Sequence, residues 1–197
     1  MYGQTFNDSQ ASAWNAGINE EVSLKFFGLT KVETANFQGN VLDMVYEKNG
    51  QEFRDRMFQV NEENLKTRKV KENGVERDQT DEEAKIEAYG NFNSRVKHVV
   101  CQFVDEAEFT KVTSTAKNFD EFVVLCATIL PQNYSEIKGK LIMGYNNKGY
   151  LEIPHAMWVT GDFLSLDGRP LKVSNRIKLE KEEKAAEETA TTTNTKW

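Results

Sequence analysis

Alternation of apolar and polar residues organises the first third of the chain. From Glu21, "VSLKFFGLTKV" sets Val22, Leu24 and Phe26 on one face of a strand and Lys25, Phe27 and Leu29 on the other. Gly28 interrupts the run, which signals a bulge or a sharp bend. "NVLDMVYE" alternates again, with Leu42, Met44 and Tyr46 opposite Val41, Asp43 and Val45. Asn49-Gly50 tolerates the positive φ of a tight turn, and "EFRDRMFQV" returns as the hairpin partner. Three consecutive strands with a bent first member begin a meander able to curl into a small barrel.

The period then changes. Residues 61 to 83 mix both charges with few apolar side chains, which predicts a mobile loop or a hairpin extension. Beyond them Phe92, Val96, Val99, Val100 and Phe103 recur at helical spacing. A second helix is predicted from "NFDEFVVLCATIL", where Asn118 caps with Glu121 three residues on. Phe119, Phe122, Val123, Cys126 and Ile129 or Leu130 form its apolar stripe, and Pro131 ends it. "KLIMGYNNKGYLEIPHAMWV" reads as two strands around Asn146 to Gly149, and "RPLKVS" as a further short strand. Residues 1 to 20 read as a loosely held arm, 21 to 177 as the folded domain and 178 to 197 as a disordered tail. The whole is α+β, mainly β with a helical insert of two helices between the third and fourth strands.

Charge narrows the picture. The 197 residues carry a formal charge of -6, so any nucleic-acid contact must come from a local basic patch rather than from bulk charge. Cys101 and Cys126 fall in apolar helical patterns and are expected to be small buried hydrophobes in a reducing cytoplasm. The N-terminus lacks a basic region followed by an apolar run, so no signal peptide is expected. No window approaches the ~18 apolar residues of a membrane span.

Catalytic signatures are weak. Gly139-Lys140 has Tyr134 where a P-loop needs glycine, and Leu141 follows the lysine. His98 and Cys101 lie one helical turn apart, but no local motif supplies the remaining ligands of a zinc site. Asp43 and Asp55, on neighbouring strands, are the one carboxylate pair that suggests metal-assisted phosphoryl chemistry. The expectation is therefore a non-enzyme with no cofactor and no metal.

The hairpin carries a more specific signal. Arg54, Arg56 and Phe58 share one side of the returning strand, and burying two unpaired guanidiniums would cost several kcal/mol, so that side is expected to face water. An exposed ring beside cations suits a nucleic-acid strand, because bases stack on the ring and phosphates meet the charges. Lys25 and Phe27 repeat the pattern, Tyr46 joins them, and Lys31, Phe37 and Lys48 are close in sequence. Tyr145, Tyr150 and Trp158, with Lys148 in the intervening turn, either extend this platform or fill the interior.

A bent strand, a hairpin with basic and aromatic content, a helical segment and a closing hairpin resemble in order the OB-fold, whose second and third strands bind oligonucleotides. The "VSLKFFGLTKV" and "GNVLDMVYEKNGQEF" opening, the "NFDEFVVLCATIL" helix and the "KLIMGYNNKGYLEIPHAMWV" hairpin also make the chain similar to bacteriophage single-stranded DNA-binding proteins over roughly residues 20 to 175. The resemblance implies a non-catalytic protein that coats single-stranded DNA during replication or recombination in the host cytoplasm. It also implies replication partners recruited by the C-terminal tail, which here ends in Trp197 and holds five Glu against four Lys from 178 to 197. A phage structural or assembly protein, which uses the barrel to contact other copies, is the alternative.

Overall fold

The computed structural model describes residues 13–154, 163–166 and 168–180. Its centre is a strongly curled, half-barrel antiparallel sheet in a mainly β fold with three helices. Strands β1 (Gly17–Thr34), β2 (Phe37–Lys48) and β3 (Gln51–Met57) form the expected meander, with Asn49 and Gly50 at φ 52° and 76° in the turn. A short second hairpin, β4 (Lys69–Glu72) and β5 (Val75–Asp78), precedes α1 (Asp81–Val100), α2 (Glu106–Thr113) and α3 (Phe119–Thr128). Strands β6 (Lys138–Tyr145), β7 (Leu151–Glu152) and β8 (Leu164–Ser165) complete the sheet, whose order is β3-β2-β1-β6-β7 with β8 also on β6.

The curl is built into β1, which serves two neighbours. Its first part pairs with β6 from Gly17↔Met143 to Ser23↔Lys138, and its second pairs with β2 from Ser23↔Glu47 to Thr34↔Phe37. β1 carries an irregularity against each neighbour, between Asn19 and Val22 and between Leu24 and Phe26. Such bulges bend a strand and increase its twist. At the first, Glu21 takes φ 58°, and the fully buried Asn19 holds the distortion: its Oδ1 accepts from Asn15 N at 3.1 Å and Lys48 Nζ at 2.9 Å. The second sits at Lys25 rather than at Gly28, and it exchanges the faces of everything that follows. Val22 and Leu24 point inward before it, whereas Phe27 does so after it and Phe26 is turned out.

One apolar cluster lies between the concave face of the sheet and the helices. Leu24, Phe27, Leu42, Met44 and Tyr46 meet Phe92, Val96, Val99 and Val100 of α1, Phe109 of α2, and Val123, Cys126 and Leu130 of α3. Trp14, expected in a loose arm, is part of this core and packs against Phe53 at 5.8 Å between ring centroids. The strand also starts at Gly17 rather than near Glu21, so residues 13 to 20 belong to the fold. Three helices, not two, separate β3 from β6. The segment α2 presents a single buried side chain, Phe109, which is too little to register as a stripe.

Residues 61 to 83 take the hairpin alternative. Asn73 and Gly74 repeat the turn chemistry of Asn49-Gly50, with φ 52° and 83°. Arg77 donates to Glu83 at 2.6 and 2.8 Å, and Arg68 donates to Glu87 at 2.9 and 3.2 Å, so both hold the hairpin on α1. Hydrogen bonds from Arg77 and from Thr80 N–H hold the Glu83 carboxyl down at about 2. Thr80 and Glu83 form a reciprocal capping box at the helix start. Residues 169 to 174 are not a strand; the extra pairing to β6 comes from Leu164–Ser165. Most of the expected tail, and Trp158, lie outside the described residues.

Candidate nucleic-acid interface

The convex face of β1, β2 and β3 is built from cross-strand rows. One row runs Phe26, Val45, Arg54 and the next runs Gly28, Asp43, Arg56. The arginine side of β3 therefore faces outward, with Arg54 exposed and Arg56 half-buried. Between them lies Asp43, 1 % exposed. Its carboxylate accepts from Arg56 Nε at 2.8 Å and Nη2 at 3.0 Å, and Arg54 Nη1 stands 3.5 Å away. Burial alone would raise the Asp43 pKa, yet hydrogen bonds from Arg56 and Thr30 and the two guanidinium charges outweigh it and hold the carboxyl below its ordinary range.

Rings frame this cluster. Phe26 is 40 % and Phe58 50 % exposed. The Phe26 ring leans along the strand over Gly28, where a Cβ would stand 3.2 Å from Cζ, and Phe37 leans over Gly39 in the same way. Phe58 meets Phe37 edge-on at 5.0 Å between centroids. Glycine at 28 thus allows Phe26 to lie low over the sheet rather than stand away from it.

Charge on this face is balanced, which corrects the expectation of a basic patch. Lys25 is paired with Glu47 at 3.1 Å, and Glu47 stands directly across the ladder from Glu52. Lys25, Arg54 and Arg56 are matched by Asp43, Glu47 and Glu52. Arg54 is the cation of this face least committed to a partner, because its one contact among the described residues is long and shared with Arg56.

The remaining candidates are dispersed. Phe27 and Tyr46 are core residues with 4 % and 0 % exposure, since the Lys25 bulge turns Phe27 inward and Tyr46 shares the concave face with Met44; neither offers a ring to a ligand. Lys48 is spent on Asn19, and Lys31 pairs with Glu33 at 2.6 Å near the end of β1. Lys148 and Tyr150 are exposed, and Tyr145 is half-buried. They follow the Met143↔Gly17 pair, at the opposite end of β1 from the Phe37 hairpin, so they do not join the arginine face. Phe26 is the ring that sequence alternation assigned to the wrong side.

The carboxylate pair is separated as well. Asp43 opposes Arg56, whereas Asp55 opposes Met44 and faces the interior, where Arg95 of α1 binds it through Nε and Nη2. With a sheet between them, Asp43 and Asp55 cannot share a metal ion. Among the described residues no three His, Cys, Asp or Glu side chains are grouped to hold one. His98 Nε2 accepts from Leu164 N at 3.4 Å, and its ring lies against Phe163. Burial raises the Cys101 thiol pKa and pushes that of Cys126 up to about 12, which keeps both thiols protonated at neutral pH. No helix among the described residues is long and apolar enough to cross a membrane. No family model, no curated protein and no solved structure matches this chain.

Proposed function

We propose that this protein binds single-stranded DNA, with little sequence preference, on the convex face of β1, β2 and β3. In this reading it is a bacteriophage-type single-stranded DNA-binding protein acting in replication or recombination, and its barrel is OB-like. The supporting observation is the placement of two half-exposed rings, Phe26 in the cross-strand row of Arg54 and Phe58 just beyond β3 against Phe37. Bases stack on the rings and a phosphate meets Arg54, the least committed guanidinium. The sharing of β1 between β2 and β6, with the helices inserted between β3 and β6, is the arrangement that favours an OB-like barrel.

Balanced charge gives this binding a particular character. Stacking supplies roughly 1 to 3 kcal/mol per base, and salt dependence is shallow because few net cations face the strand. Fluorescence titration with an oligothymidylate at low and high salt tests this. Phe26→Ala and Phe58→Ala are each expected to weaken binding by about tenfold or more, as loss of one stacked base requires. Absence of wild-type binding at low salt would sink the reading. That outcome would favour the second one, a phage structural or assembly protein, which the neutral, ring-bearing face also suits. Magnesium in a parallel titration reports any shortening of the oligonucleotide.

A further inference from the structure

The outer edge of β3 carries a second, independent signal. Among the described residues β3 pairs with β2 alone. The two-residue turn makes Lys48 and Gln51 a hydrogen-bonded pair, so Phe53, Asp55 and Met57 also direct their backbone groups at β2. The N–H and C=O groups of Glu52, Arg54 and Arg56 therefore point the other way, along an open edge. Neither a proline nor a bulge, two of the devices that discourage pairing, interrupts that edge; the charges it carries are the remaining one.

Among the described residues, side-chain charges along the same edge are incomplete. Glu47 and Glu52 stand opposite one another on the convex face, an unfavourable like-charge pair, and Lys25 neutralises Glu47. Glu52 is exposed and makes no hydrogen bond or ion pair among the described residues. Two positions on, Arg54 has only its long contact to Asp43. An anion without a partner and an under-used cation at positions i and i+2 are self-complementary under a two-fold axis.

We infer that the protein forms a symmetric dimer by antiparallel pairing of β3 with β3 of a second copy, centred on Phe53 so that Glu52 of each copy faces Arg54 of the other. The register follows from the charges. Centring the axis on Arg54 sets the two Arg54 face to face and gives Glu52 only Arg56, which is already bound to Asp43, and centring it on Asp55 sets Arg54 against Arg56. Centring on Phe53 alone satisfies Glu52 and Arg54 twice and makes both residues hydrogen-bonded partners across the axis. The result is one continuous sheet from β1 through β3 to the mate's β1, with both convex faces on the same side. The contact is short, so association belongs in the micromolar range rather than among obligate dimers. The contact forms without a ligand, so it stands or falls apart from the DNA-binding reading, with which it competes for Arg54.

Sedimentation equilibrium of the full chain over the micromolar range tests it. Wild type is expected to show a reversible monomer–dimer equilibrium. Glu52→Lys should weaken the dimer by at least tenfold, because it sets like charges across the axis, while leaving the monomer at least as stable because the clash with Glu47 is relieved. Mixing Glu52→Lys with Arg54→Glu should restore a dimer containing one of each. In that mixed dimer the introduced lysine of one copy faces the introduced glutamate of the other, while Arg54 of the first still faces Glu52 of the second. A wild-type chain that stays monomeric, with slow amide exchange at 52, 54 and 56, would mean that the edge is covered from within and would overturn the inference. So would a dimer unchanged by Glu52→Lys.

Discussion

Asp43 and Asp55 sit on adjacent strands of one hairpin, both buried and both bound by arginine, yet they do opposite work. Asp55 faces the interior, where Arg95 also donates to the Pro154 carbonyl at 3.0 Å and lies over the Phe163 ring at 5.1 Å. One guanidinium thereby ties β3 to the chain that follows β7. Asp43 faces outward, accepts two hydrogen bonds from Arg56 and stands in a looser ion pair with Arg54. A buried one-to-one pair fixes position and leaves nothing over; a two-to-one cluster at the surface leaves a cation partly available. The single sheet between them keeps the two clusters apart: the inner one ties elements together, and the outer one leaves Arg54 available for the proposed DNA contact.

The largest effect should come from breaking the inner pair. Arg95→Met leaves the Asp55 carboxylate buried without a counter-ion and should cost about 3 to 5 kcal/mol in urea unfolding. Pairing it with Asp55→Leu should recover most of that loss, whereas no recovery would show that Arg95 acts through Pro154 and Phe163 instead. On the outer side, Arg56→Ala removes the two good hydrogen bonds to Asp43 and is expected to cost about 2 kcal/mol, with Arg54 moving in as a partial substitute.

Acid probes the outer carboxylate. Because the folded Asp43 pKa is depressed, its stabilisation is complete above the unfolded value near about pH 4 and is lost as pH falls through the lower folded value. The urea midpoint should therefore drop on acidification below about pH 4, and Asp43→Asn should make that drop shallower. The smallest change in stability belongs to Arg54→Ala, about 0.5 kcal/mol or less. On the proposed reading its effect appears instead in DNA binding, where the salt slope is expected to fall by about one unit. Equal losses of stability from Arg54→Ala and Arg56→Ala would erase the distinction drawn between them.

Local chemistry was legible where one dipeptide or one cap decides the backbone. Asn49-Gly50 marked the first hairpin, Asn118 accepts from Glu121 N at 2.9 Å as the capping pattern requires, and Val123 and Cys126 are buried as the helical period requires. Asn73-Gly74 carried the same turn signal but was masked by the charges around it. Register was not legible. A bulge at Lys25 fits "SLKFF" no better than regular alternation does, yet it decides that Phe27 is core and Phe26 is surface. Nor was the cost of each cation visible: Lys48, Lys25 and Arg56 look free in sequence, and their partners Asn19, Glu47 and Asp43 are assigned only by the fold.

The two halves of β1 also set an order of assembly. Leu24 finds Tyr46 within a few tens of residues, but Val22 must wait for Gly139, more than a hundred residues later. During synthesis at roughly 5 to 20 residues per second, the three-stranded meander stands for some seconds with its apolar side uncovered before α1, α2 and α3 leave the ribosome, and the first half of β1 waits longer still for β6. Formation of the β1–β6 ladder is thus the step expected to limit the folding rate, and the interval before it is when the nascent chain most needs a chaperone.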